Sequence, residues 1–299
     1  MADRDLWLRR IEELDVETDY VEIARITSQY EFPWDVTQAL SFALFRTFAV
    51  PSIGGLLART GEFTDRPQKR YDDTVLLLDA ILQHGFGDPR GRAALRRVNQ
   101  MHGAYGISND DLLYTLSTFV VMPGRWLRDH GWRPLSEKES QAATRYYVDL
   151  GHHMGIKGVP TTHAGFEAFL DTYEAEHFGY DEGARRVADA TLDLLAGFPP
   201  NHLLPKSWVR RASFALMDEP LLDAFRYPRP SPALRRLVRA GLRARAAVVR
   251  RKGPRRSPVL APDLPQVRSY PRGFSVEELG TFPAGSAPRA GSDDAASAR

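Results

Sequence analysis

The sequence contains no cysteine among its 299 residues. This absence excludes disulfide bonds, cysteine-bound zinc, iron–sulfur clusters and haem held by a thiolate. A run of 18 apolar residues is also missing, because Arg46 and Pro51 break the most apolar stretch, residues 36–57. The charged amino terminus does not resemble a signal peptide. We therefore expect a cytoplasmic protein without a membrane-spanning helix.

Acidic side chains are absent from residues 224–262, where twelve Arg or Lys residues occur. This segment resembles a proline-rich hinge followed by a basic helix, which ends at Lys252-Gly253-Pro254. Basic amphipathic helices bind anionic membranes. The basic composition of Arg235–Arg256 therefore predicts a peripheral contact with the inner face of the membrane. A solvated basic surface without a partner is the alternative. No nucleic-acid-binding motif accompanies the segment, and we expect no nucleic-acid partner.

Alternating strand patterns and two-residue hairpin turns are missing as well. Apolar residues recur at helical spacings instead, which predicts an all-α fold. We expect one helical domain over residues 1–227, an extension with the hinge, the basic helix and a C-terminal motif over residues 228–282, and a disordered tail over residues 283–299. Within the domain, the predicted helices are Asp5–Leu14, Trp34–Val50, Ser52–Thr60, Asp73–His84, Arg90–His102, Asp111–Val121, Ser136–His153, Ala164–Glu176, Asp181–Leu195 and Lys206–Met217.

Sequence motifs for dinucleotide binding, phosphate loops and serine nucleophiles are absent. One region is rich in metal-binding residue types, but without a recognised ligand spacing. Adjacent His152 and His153 project roughly 100° apart on a helix, so they do not easily share a metal ion. We expect no metal site in this group, which comprises His152, His153, His163, Glu174, Glu176 and His177.

The histidine at position 102 lies on an apolar helical stripe with Leu95, Val98 and Tyr105. This pattern directs its ring toward the core. The simpler interpretation is a buried, neutral histidine whose hydrogen bonds are satisfied by the protein. The alternative is a metal or haem ligand, since neutral imidazole is a common ligand and haem requires an apolar slot.

A cation and a hydroxyl stand four residues apart in KRYDDT, as Arg70 and Thr74. On a helix they share one face, which continues with apolar residues as far as Ile81. An exposed arginine with ordinary solvent contacts is one interpretation. The other is an arginine that pairs with an anionic group at the mouth of an apolar slot, with Thr74 as a hydrogen-bond donor.

Several motifs together resemble the MpaB-type oxygenases, whose catalytic domain is shared with the rubber oxygenases called latex-clearing proteins. The combination of KRYDDT, NQMHG and NDDLLYTLS is the specific part of this resemblance. The resemblance extends over nearly the whole globular part of the chain. The matching stretches are LLARTGEF (Leu56–Phe63), KRYDDT (Lys69–Thr74), residues 97–119, GWRPLSEKE (Gly131–Glu139), MGIKGVP (Met154–Pro160) and YPRGFSVEELGTF (residues 270–282).

The resemblance implies a globin-like helical domain around haem b. It assigns His102 to the position of the proximal haem ligand, and Arg70 and Thr74 to a pair near the haem pocket. It further implies oxidative cleavage of a carbon–carbon double bond by O2 in a hydrophobic alkene or prenyl-type substrate. The protein would supply the axial ligand, hydrogen bonds and a dry slot.

One position departs from the rubber oxygenases. Latex-clearing proteins can carry a lysine directly before the threonine, where this chain has Asp73. A lysine-capped iron is therefore not expected, and the MpaB-like branch is favoured over rubber as substrate. Because a fold does not determine its function, a haem-binding protein without turnover and a membrane-associated lipid-binding protein remain alternatives.

Overall fold

The computed structural model describes residues 4–282, and helix accounts for 72% of the structure. No strand occurs within this described range. The predicted all-α fold of a single domain is confirmed. The tail predicted for residues 283–299 lies outside the described residues.

Fourteen α-helices occur in the described range. A π-helical segment, Ile26–Glu31, follows the second helix. The α-helices are α1 (Leu6–Glu12), α2 (Val16–Arg25), α3 (Pro33–Thr47), α4 (Pro51–Thr60), α5 (Glu62–Asp65), α6 (Pro67–His84), α7 (Pro89–Gly103), α8 (Asn109–His130), α9 (Glu137–His153), α10 (His163–His177), α11 (Glu182–Ala196), α12 (Lys206–Leu216), α13 (Glu219–Phe225) and α14 (Pro232–Arg251).

Local capping signals locate several helix starts correctly. Ser108 accepts a hydrogen bond from the Asp111 amide at 3.0 Å, and Ser136 forms a capping box with Glu139. Both arrangements satisfy amide groups that have no partner inside the helix. Pro51 separates α3 from α4 and begins α4, as predicted, because proline lacks the amide hydrogen that a helix interior needs.

The predicted end of α8 at Val121 is wrong. The helix continues through Pro123 to His130. An internal proline costs roughly 3 kcal/mol, since one helical hydrogen bond is lost. Beyond Pro123, however, Trp126 and Leu127 are buried in an apolar cluster with Phe32. Burial of these two large side chains offsets the cost of the proline.

Other differences concern short or weakly patterned segments. The sequence does not indicate α2, α5, α13 or the π-helical segment, and α6 begins at Pro67, six residues before the predicted Asp73. The earlier start of α6 has a consequence for the site. It places Arg70 and Thr74 inside the helix, one turn apart on the same face.

The core is organised around α8, which packs against α3, α9, α10 and α14. Its Tyr114 is fully buried and belongs to the largest apolar cluster, together with Leu77 of α6 and Leu170 of α10. Helix α6 packs against α7, and α4 packs against α11. These contacts bring α6 and α7, which carry the predicted site residues, against the centre of the molecule.

A buried ion-pair network connects several of these helices. Arg46 of α3 is 6% exposed and binds both Glu174 of α10 and Asp218, which precedes α13. The Tyr114 hydroxyl donates to Glu174 at 3.0 Å. The hydrogen bonds and charge of Glu174 raise the pKa of Arg46 despite its burial. This cation is therefore fully paired.

The end of the described chain folds back over α6 and α7; we call residues 265–282 the C-terminal strap. The carboxylate of Asp72, which is fully buried, accepts hydrogen bonds from the Arg268 amide at 2.9 Å and from the Ser269 amide at 2.8 Å. Its other strap contact is the Ser269 hydroxyl at 2.6 Å. Farther on, Arg97 Nε donates to the Leu279 carbonyl at 2.6 Å. The strap thus holds the two site helices together.

None of the helices in the described part of the chain is long and apolar enough to span a membrane alone. Helices α3 and α4 reach that length and composition only as a pair, and they are bent by 97°.

We expect Asp72→Ala to lower the free energy of unfolding by about 3 kcal/mol, because buried donors of the strap lose an ionised acceptor. Urea denaturation measures this change, and limited proteolysis should show earlier cleavage within residues 265–282. The matched control is Glu176→Ala, an exposed acidic residue that should change stability by less than about 0.5 kcal/mol. Equal stability of both variants would contradict the anchoring role.

Candidate functional site

A cavity of about 690 Å³ lies between the helices on the inner side of α6. Its wall is mainly apolar and includes Leu78, Met101, Phe119 and Leu195. The volume lies in the range of small-molecule and cofactor sites, which are roughly 300–1,000 Å³. Polar side chains interrupt the apolar wall in several places, and they define the chemistry of the site.

Arg70, Thr74 and His102 all line this cavity. Helix α6 presents Arg70 and Thr74 four residues apart, and the last turn of α7 presents His102. The Arg70 guanidinium donates to the Thr74 hydroxyl, which in turn donates to the Arg70 backbone carbonyl at 2.9 Å. The structure therefore brings together the three residues that the sequence analysis selects.

The His102 ring has unused hydrogen-bonding capacity. Its Nδ1 atom is buried and has no hydrogen-bond partner in the structure. Desolvation, and to a smaller extent the charge of Arg70, lower the pKa of His102 to about 4. At neutral pH the imidazole is thus uncharged, the form in which histidine binds metals. The satisfied structural histidine considered from the sequence does not match this geometry, since buried polar atoms normally have partners.

The Arg70 guanidinium also lacks a counterion. Nearby carboxylates pair with other cations, Asp73 with Lys69 and Glu62 with Arg66. No carboxylate within the described residues forms an ion pair with Arg70. Burial therefore lowers the pKa of Arg70, although Asp73 and Glu62 oppose this shift. A cation held this way is suited to bind an anionic group that enters the cavity.

Asp73, which directly precedes Thr74, does not line the cavity. Its side chain is 1% exposed and pairs with Lys69 at 2.7 Å. The Tyr270 hydroxyl of the strap donates to its other oxygen. Asp72 and Asp73 therefore bind the strap and do not form part of the cavity wall.

The histidine-rich region does not assemble into one site. His177 Nδ1 contacts the Tyr173 carbonyl at 3.0 Å, and the His153 ring stacks on Phe86. Glu174 forms an ion pair with Arg46. Among residues 4–282, no group of three or more His, Asp or Glu side chains could hold a metal ion.

Sequence reasoning missed a second polar group in the cavity wall, formed by Gln29, Asp79, Tyr146 and Tyr147. Only Asp79 had a recognisable signal, a carboxylate within the apolar stretch VLLLDAIL of α6. Gln29 lies in the unpredicted π-helical segment, and the two tyrosines lie on α9. Their proximity depends on tertiary packing.

The donor set restricts what the cavity can hold. A single free imidazole is insufficient for an ion that needs several protein ligands. It is sufficient for a metal carried by a macrocycle, which supplies the remaining equatorial ligands itself. An apolar wall and an unpaired arginine are suited to a flat apolar cofactor with acidic substituents. These features of Arg70 and His102 are compatible with haem b.

The chain matches a family model described as "ER-bound oxygenase mpaB/B'/Rubber oxygenase, catalytic domain" over residues 34–251. It is 32% identical over 259 residues to the ER-bound oxygenase mpaB' of Penicillium brevicompactum, covering 80% of this chain and 60% of that protein. It is 33% identical over 198 residues to the ER-bound oxygenase mpaB of Penicillium roqueforti (strain FM164), covering 60% of this chain and 66% of that protein.

The chain thus spans less than two thirds of the length of either relative. The family model, in contrast, covers most of this chain and includes Arg70, Thr74 and His102. The chain therefore belongs to the mpaB/B' and rubber oxygenase catalytic-domain family.

Proposed function

We propose that this chain is a haem b-dependent oxygenase that cleaves a carbon–carbon double bond of a hydrophobic alkene or prenyl-type substrate with O2. The observation that supports the proposal most directly is one apolar cavity in which a neutral histidine has an unpartnered ring nitrogen and a partly buried arginine has no counterion. The relatives, which are named as oxygenases, support the reaction class.

In this proposal, His102 would hold the iron of haem b. Haem, when bound, supplies the site at which O2 is bound and activated. Arg70 would pair with a haem propionate or stabilise negative charge on the oxygen substrate. Thr74 fixes the orientation of Arg70, and its hydroxyl hydrogen would have to turn from the Arg70 carbonyl to donate to the oxygen substrate.

The apolar wall has its own role in the proposed reaction. Side chains such as Leu78, Phe119 and Leu195 bind the hydrocarbon chain and exclude water from the reacting double bond. Overall, both atoms of O2 enter the products, one in each of the two carbonyl groups formed. The protein contributes orientation, a dry cavity and a fixed cation beside the neutral imidazole.

A second proposal concerns the membrane. The exposed half of α14 carries Arg236, Arg239, Arg243 and Arg250 along one side, next to an apolar row that includes Leu237 and Val248. These four arginines form no ion pair with any residue in the described range, whereas Arg235 and Arg245 on the inner side bind Glu219 and Asp35.

Such a surface is suited to anionic lipid headgroups, because cations flank an apolar row that can enter the interface. We propose that the chain contacts the membrane peripherally through this face of Arg235–Arg256. That contact would bring a hydrophobic substrate close to the enzyme.

We expect His102→Ala to lose most of its haem when it is produced under haem-replete conditions, because the axial ligand is removed. The pyridine haemochromogen assay and the Soret band measure haem content. Added imidazole should restore binding by occupying the vacated position. His152→Ala, which removes an exposed histidine, should retain haem. Stoichiometric haem in folded His102→Ala protein would exclude the ligand assignment.

Arg70→Met should leave the haem-free protein as stable as before or stabilise it by about 1 kcal/mol or more, since a partly buried cation without a counterion disappears. Haem should dissociate faster from this variant. The control, Arg46→Met, removes a paired arginine and should cost about 3–5 kcal/mol. Urea denaturation and haem transfer to apomyoglobin test both parts. A large loss of stability in Arg70→Met would indicate that Arg70 has a structural partner.

Oxygen uptake distinguishes the proposed enzyme from a haem-binding protein without turnover. Purified haem-loaded protein is incubated with prenyl substrates in an oxygen electrode cell, and the products are tested for carbonyl groups. Uptake that depends on the alkene and on Arg70 and His102 supports the oxygenase. Stable haem binding without uptake for any alkene would favour the non-catalytic alternative.

Arg239→Gln with Arg243→Gln should weaken binding to vesicles that contain anionic phospholipid by roughly tenfold or more, because each arginine contributes about 1 kcal/mol near such a surface. Sedimentation with vesicles of graded anionic content measures the partition, and added salt should weaken it. The control pair, Arg92→Gln with Arg96→Gln, removes the same charge from exposed positions of α7. Equal effects of the two pairs would contradict a specific face.

A further inference from the structure

The end of the C-terminal strap lies against the last turns of α7. Leu279 is fully buried, and Thr281 lines the cavity together with Met101, which directly precedes His102 on α7. The cavity wall beside the proposed haem ligand is thus formed partly by a helix side chain and partly by the strap.

The thioether of Met101 joins these two parts of the wall. The Thr281 amide donates a hydrogen bond to Met101 Sδ at 3.3 Å. Gly280 lies directly over the same sulfur with a φ of +96°, and a β carbon at this position would stand 1.9 Å from Sδ. Only glycine permits both this backbone conformation and this close approach. The strap backbone therefore packs directly on the sulfur.

Few other contacts hold the end of the strap. Within the described range, residues 279–282 form two hydrogen bonds with the helices, one to Met101 and one from Arg97 to the Leu279 carbonyl. The Arg97 guanidinium also lies 4.4 Å from the ring centroid of Phe282. The carboxylate anchors of the strap lie earlier in the chain. Loss of the sulfur contact would thus leave Arg97 as the remaining polar anchor of this end.

The Met101 sulfur is open to oxidation by a hydroperoxide. Thr281 occupies one lone pair of the sulfur, and the other can attack an oxygen atom of hydrogen peroxide. A sulfur–oxygen bond forms, the oxygen–oxygen bond breaks, and the second oxygen leaves as water with the proton of the first. The sulfur loses two electrons, and the peroxide gains them. Met101 is partly exposed and lines the cavity, so a molecule as small as hydrogen peroxide can reach it.

The resulting sulfoxide does not fit the contact with the strap. Its oxygen has no space on the strap side, because the Gly280 backbone already packs on the sulfur. Oxidation also converts an apolar side chain into a polar one, which is unfavourable in an apolar wall. Displacement of the strap end gives the new oxygen both space and access to water.

We propose that Met101 is an oxidation site, and that its conversion to the sulfoxide releases residues 279–282 from α7 and opens the cavity beside His102. The inference goes beyond the proposed function, since it depends on the thioether and the strap and requires no bound haem. Methionine sulfoxide reductases reverse this modification, so the strap can return to its place.

Hydrogen exchange of the strap tests the proposal directly. The full-length chain is treated with hydrogen peroxide, its haem content is determined in parallel, and mass spectrometry of peptides measures the sulfoxide at each methionine. Amide exchange in residues 279–282 should become roughly tenfold faster or more once Met101 is oxidised, because the Thr281 amide loses its acceptor. Treatment with methionine sulfoxide reductases should restore the slow exchange.

Variants assign the effect to one sulfur. Met101→Leu cannot be oxidised at this position, so the ratio of exchange rates with and without peroxide should fall to about one. Met101→Gln places a polar group there and should exchange fast without peroxide. The control is Met154→Leu, which removes another methionine of the cavity wall whose sulfur accepts no hydrogen bond from the described residues. This variant should respond to peroxide as the wild type does.

Unchanged exchange in protein that is oxidised at Met101 would overturn the proposal. Resistance of Met101 to peroxide while Met154 is oxidised would do so as well, as would an undiminished response of Met101→Leu. None of these outcomes depends on turnover. Strap release in protein that binds no haem would refute the proposed oxygenase alone, whereas haem binding and oxygen uptake without strap release would refute the oxidation site alone.

Discussion

Two polar side chains that the protein leaves incompletely paired determine how this cavity can be used. Arg70 and His102 lie against an apolar wall, the first without a counterion and the second with an unsatisfied ring nitrogen. Burying such groups destabilises a folded protein unless a bound group compensates for the loss of water. A ligand with acidic substituents and a metal centre can compensate for both at once. The buried Arg46, which is fully paired with Glu174 and Asp218, shows the arrangement that this fold uses for a structural cation.

The rest of the molecule keeps these two side chains close to each other. Helices α6 and α7 carry them, and the C-terminal strap joins both helices through Asp72 on one and Arg97 on the other. The side chains of the KRYDDT motif therefore point toward two different parts of the molecule. Arg70 and Thr74 face the cavity, whereas Asp72 and Asp73 face the strap.

Much of the helical fold could be predicted because its signals are local. Ser108 and Ser136 mark helix starts through contacts within three residues, and apolar stripes mark the long helices. The continuation of α8 through Pro123 could not be predicted, since the burial of Trp126 and Leu127 depends on other helices. The same distinction holds for the site. Arg70 and Thr74 are one helical turn apart, and His102 follows an apolar stripe, but Gln29, Asp79 and Tyr147 meet only in the folded chain.

The central claim is that a ring nitrogen of His102 binds iron in this cavity. The most direct test is an anomalous difference map at the iron absorption edge, recorded from crystals of the haem-loaded protein. The account predicts one iron peak within bonding distance of the His102 ring, with the Arg70 guanidinium beside the edge of the macrocycle. An iron peak elsewhere, or haem-replete crystals in which the His102 ring contacts only protein atoms, would contradict it.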